Sequence, residues 1–99
     1  MVKGFKDFEQ LFEKVKLNAA KAEILFLFLG PDSSIELYEE YVRLEEEQYE
    51  LYSEMIGIII RNDLTETFLE NMLIILKNME GLESSIFESK HLIEEMKAA

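Results

Sequence analysis

Ile24-Leu25-Phe26-Leu27-Phe28-Leu29 is the longest apolar run in the chain, and its reading as helix or strand decides the fold. Six consecutive apolar residues suit a fully buried strand as well as a helix that is buried all round or covered by a partner. The residues before the run favour helix. Phe5, Phe8, Leu11, Phe12, Val15, Ala19 and Ala22 recur at spacings of three and four, which places them on one helical face. Nothing between Ala22 and Ile24 breaks that periodicity, so one helix is expected from Phe5 through the run, stopped by Gly30-Pro31.

Downstream the pattern is helical throughout. Ser33 with Glu36 three residues on has the spacing of a capping box, with Ser34 as the competing cap. Leu37, Tyr41, Leu44, Leu51, Met55 and Ile58 then form one apolar stripe, and Tyr38, Val42, Tyr49, Tyr52, Ile56 and Ile59 a second beside it. A face that broad can touch two other helices at once, which suits the central element of a bundle. Arg61-Asn62-Asp63 reads as its end, and Asp63 with Glu66 repeats the capping pattern for a third helix carrying Phe68, Leu69, Met72, Ile75, Leu76 and Met79. Gly81 reads as the C-terminal stop of that helix, and Ser85 with Glu88 as the start of a fourth bearing Ile86, Phe87, Leu92, Ile93 and Met96.

The expected architecture is all-α. It is an antiparallel helical bundle of three to four helices, two long ones in a hairpin plus a third broken near Gly81, in a single domain over residues 1–99. Faces this wide leave an apolar edge on a three-layer bundle, so pairing of two copies into a dimer is expected to cover it.

Composition narrows the functional classes. With no Cys, disulfides, thiolate metal sites and thiol nucleophiles are excluded. No apolar stretch approaches the length of a bilayer span, and the mixed charges of Lys3, Lys6, Asp7, Glu9 and Glu13 lack the order of a secretory signal, which points to the cytoplasm. Few Gln, no Cys and a 31% charged fraction also suit a hyperthermophile. The net charge of −11 is uneven: residues 1–30 carry five Lys against four acids, residues 31–62 nine acids against two Arg, and residues 63–99 eight acids against three Lys. Most of the surface would repel a phosphate backbone, which argues against nucleic acid as a partner. The Lys-bearing first segment is instead expected to lie beside the acidic second one. A weaker alternative treats Lys3, Lys6, Lys14, Lys16 and Lys21 as an arm for an anionic surface.

The densest chemical cluster is Glu45-Glu46-Glu47-Gln48-Tyr49-Glu50, followed by Glu54. Glu46, Glu50 and Glu54 share a helical face, and carboxylates so placed offer oxygen ligands to Mg²⁺. The pattern Glu46-Glu47-x-x-Glu50 resembles the first metal motif of the all-α nucleoside triphosphate pyrophosphatases of the MazG type. That resemblance implies an antiparallel helical dimer hydrolysing nucleotides with Mg²⁺ held by Glu46, Glu47 and Glu50. It covers about thirty residues and half a motif: Phe68 and Asn71 stand where the family's second motif has Glu and Asp, and both lose a charged ligand. Glu88-x-x-His91 is one half of a ferritin-like pair with no second half, so His91 reads as a surface residue.

With no complete catalytic set, the leading expectation is a non-enzymatic, cofactor-free interaction protein that binds another copy or a partner helix through its apolar faces. The four Tyr of the second helix flank its apolar stripe, where a ring buries area while its hydroxyl stays wet. The candidate interface residues are accordingly Leu25, Phe26, Phe28, Tyr38, Tyr49, Tyr52 and Ile59.

Overall fold

A computed structural model describes the backbone of residues 5–30, 32–61 and 66–99, and the side chains of residues 7–30, 32–61 and 69–99. These residues form three helices: α1 (Phe5–Phe28), α2 (Ile35–Arg61) and α3 (Glu66–Ala98), with no strand among them. The run from Ile24 is helical as far as Phe28, where the Leu29 amide turns back onto the Phe26 carbonyl at 3.1 Å. Gly30 follows outside the helix, while Pro31 and the Asp63 cap lie outside the described residues.

The start of α2 differs from the capping-box expectation by one residue. Ser34 is the cap: its hydroxyl accepts the Leu37 amide at 3.4 Å, and its carbonyl accepts the Leu37 and Tyr38 amides. Ser33 has another task. Its hydroxyl accepts the Gly30 amide at 2.8 Å and donates to the Phe28 carbonyl at 3.2 Å, tying the end of α1 to the turn. Tyr38 adds a second tie by donating from its hydroxyl to the Gly30 carbonyl at 3.1 Å.

The larger correction concerns Gly81. The chain does not stop there, nor start again at Ser85; α3 runs through both as one 33-residue helix, and no described glycine has a positive φ. Glycine inside a helix costs about 1 kcal/mol relative to alanine. The burial of Ile75, Ile93 and, partly, Leu82 and Ile86 on one face either side of it outweighs that cost. At about 1.5 Å per residue, α3 spans about 50 Å, which sets the 54 Å long axis of the molecule.

Helix α2 packs against both α1 and α3, and among the described residues the backbones of α1 and α3 do not approach one another. The core gathers at one end of this arrangement, where Phe8, Leu11 and Val15 of α1 and Ile75 of α3 close over Met55 and Ile59 of α2, each only 1% exposed. Toward the other end α1 and α3 stand as walls with α2 as the floor, and a groove stays open between them. The radius of gyration is 15.9 Å, against about 13 Å for a compact chain of this length.

Candidate functional site

The groove is built by residues that the helical periods bring together from all three helices. Ala19, Ala22 and Phe26 line the α1 wall, Tyr41, Glu45 and Gln48 the floor, and Leu82 the α3 wall, around a hollow of about 320 Å³. The two alanines leave the space: a larger side chain at either position would fill it. Further along, Phe12, Tyr52, Ile74 and Asn78 line a second hollow of about 240 Å³ in the same cleft. Phe26 leans on Tyr41 with ring centroids 5.8 Å apart, yet most of its surface is open.

Glu45 stands out chemically. It is only 4% exposed, and its Oε1 has no hydrogen-bond partner. Burial pushes its carboxyl above the usual carboxylate range, a shift that a hydrogen bond with Ser85 of α3 partly offsets. Burial, and then the charge of Glu45, likewise raises the Tyr41 hydroxyl. A buried carboxylate oxygen with no donor is costly, so the site is poised to accept a hydrogen bond or a cation from whatever fills the groove.

Beneath the groove a chain of polar side chains links the helices. Asn18 of α1, itself buried, donates from Nδ2 to the Leu44 carbonyl at 2.8 Å and to Gln48 Oε1 at 3.2 Å. Gln48 donates onward to the Tyr52 hydroxyl at 3.4 Å, which also accepts from Asn78 of α3 at 3.5 Å. These links pin the lengthwise register of the helices, because a shift of one turn would leave Asn18 and Gln48 buried without partners.

The acidic cluster is divided between two faces. Glu46 is exposed and lies 3.7 Å from Lys90 of α3. Glu47, Glu50 and Glu54 line a different cleft, between α2 and α1, opposite Lys14 and Lys21. The basic segment thus lies beside the acidic one. Among the described residues, no group of three or more acidic or histidine side chains is arranged to hold a metal ion. His91 is exposed, with Nε2 3.2 Å from Glu95 one turn along.

The candidate interface residues fall into two sets. Phe26 and Phe28 are exposed, and Leu25, Tyr38, Tyr49 and Tyr52 half-buried, whereas Ile59 packs inside the chain's own core and Ile60 is open instead. Sequence reading missed Ala19, Ala22 and Glu45 as groove residues. The two alanines had appeared only as part of the apolar face of α1, and nothing local separates Glu45 from its acidic neighbours. A fold with an open cleft and large exposed apolar side chains belongs to the broad class of all-helical proteins. Among the described residues, no helix is long and apolar enough to cross a membrane. No family model, curated protein or solved structure matches this chain.

Proposed function

We propose that this chain is a non-enzymatic, single-domain interaction protein, an antiparallel helical bundle that associates with a second copy as an adaptor, accessory or regulatory factor. The antiparallel reading is supported by the order of contacts. Going up α1 from Phe8 to Asn18 to Phe26, the facing α2 residues descend from Ile59 to Leu44 and Tyr41.

The observation that carries self-association is the surface. The chain exposes 7142 Å², whereas a compact monomer of 11.6 kDa exposes about 5,800 Å². The excess of about 1,300 Å² per chain matches one side of an obligate homodimer interface, which buries about 2,000–5,000 Å² in total. Its character fits as well: Leu27 is 76%, Phe28 73%, Phe87 75% and Leu73 66% exposed, large apolar side chains that an interface would cover.

Sedimentation equilibrium over a micromolar concentration series tests the proposal. The wild-type chain is expected at twice 11.6 kDa. Phe28→Asp with Leu73→Asp, both at exposed positions, is expected to keep its helicity while its dissociation constant rises at least about tenfold. A wild-type chain that stays at 11.6 kDa throughout the series would refute the proposal.

A further inference from the structure

Gly81 has no role within the chain that calls for glycine. A Cβ added there would meet no other atom within 4 Å, its φ is not positive, and it interrupts nothing. Glycine inside a long helix is still unfavourable, so the place to seek its use is outside the chain, in a close approach of another backbone. Its position on the helix supports this. Ile74, Asn78, Gly81, Ser85, Glu88 and Leu92 follow one another at alternating spacings of four and three, the period of a seam between two helices. That seam borders the groove, because Ile74 and Asn78 line the hollow over Tyr52, and Ser85 stands one turn beyond Leu82 of the groove wall.

Within the self-association proposed above, we propose that α3 pairs antiparallel with α3 of a second copy, crossing at Gly81, so that Lys77 of the partner subunit supplies the cation for the unpartnered oxygen of Glu45. An antiparallel crossing centred on Gly81 puts residues equally far on either side of it opposite one another. Lys77 and Ser85 are each four residues away. The partner's Lys77 therefore lies opposite Ser85, one turn beyond the Leu82 that lines the hollow with Glu45, and within one turn of Glu88. Among the described residues Lys77 forms no ion pair within its own chain, and it is exposed. Two-fold symmetry makes the contact twice, once in each groove, which answers the buried Glu45 oxygen and the free ammonium together.

Three variants test this against measured mass and cross-linking. Gly81→Leu raises helix propensity and meets open space within the chain, so the monomer should keep its helicity. A leucine at the crossing separates the backbones, so the dimer dissociation constant should rise about 100-fold or more. Because the chain has no native cysteine, Lys77→Cys with Ser85→Cys should give an oxidised, disulfide-linked dimer, and Lys77→Cys with Glu83→Cys, which points away from the seam, should not. Lys77→Gln and Glu45→Gln should each weaken the dimer, and the double variant should be no weaker than the worse single one. A wild-type dimer that persists in Gly81→Leu at unchanged affinity, or equal cross-linking in both cysteine pairs, would overturn the crossing while leaving self-association intact. A wild-type chain that is monomeric would overturn both.

Discussion

Replacing Asn18 with alanine should destabilise the chain far more than its half-polar sequence context suggests. The side chain is 8% exposed and donates to the Leu44 carbonyl and to Gln48 Oε1. The Leu44 carbonyl keeps its helical bond to the amide four residues on, so losing Asn18 there costs about 1 kcal/mol. Gln48 is itself only 7% exposed, and its oxygen would be left without a donor, which costs about 1–3 kcal/mol more. The total is about 3 kcal/mol, a large share of the 5–15 kcal/mol typical of a small domain. Urea unfolding followed by circular dichroism measures it, with the midpoint falling while the slope stays constant. The control is the double variant Asn18→Leu/Gln48→Met, which replaces both partners by apolar side chains of matching shape. It should recover to within about 1 kcal/mol of wild type, because no buried polar group is stranded. An Asn18→Ala variant within about 0.5 kcal/mol of wild type would mean that the polar links do not hold α1 in register on α2.

Other outcomes follow from single contacts. Below the concentration of self-association, stability should decline as pH rises above about 4.3, the ordinary glutamate value, because Glu45 holds its proton in the folded state more tightly than in the unfolded one. That contribution is complete at lower pH and is lost as pH passes the raised folded value; Glu45→Gln should flatten this part of a thermal-melt series, and an unchanged profile would count against burial of the group. Ser34→Ala should cost about 1 kcal/mol through loss of the α2 cap. Ser33→Ala should instead loosen the turn, seen as faster amide exchange at Gly30, whose amide it accepts.

Much of this architecture is legible in the sequence where period and punctuation agree. The unbroken spacing from Phe8 to Ala22 carries helix into the Leu25 run, and the wide stripe on α2 does mark the helix that touches both others. Gly81 misleads because a local cost of about 1 kcal/mol looks like a stop, while the apolar face that continues α3 is spread over Ile75, Leu82, Ile86 and Ile93. Ser33 and Ser34 are interchangeable by composition, and only the turn geometry that draws Ser33 back to Phe28 decides between them. The candidate site is harder to read than the fold. Glu45, Glu46 and Glu47 are adjacent and chemically identical, yet successive helical positions point about 100° apart, sending one beneath α3, one toward Lys90 and one toward the lysines of α1. A role set by which neighbour covers a residue is written in the packing of distant segments, and Asn18, paired across 26 residues with Leu44, is another case.

Small-angle X-ray scattering of the wild-type chain at micromolar concentrations tests the central claim most directly, because one curve returns both mass and shape. Self-association through the apolar faces predicts a forward scattering equal to twice 11.6 kDa and a particle larger than a single chain. A mass of 11.6 kDa with a radius of gyration near 15.9 Å, unchanged with concentration, would contradict it.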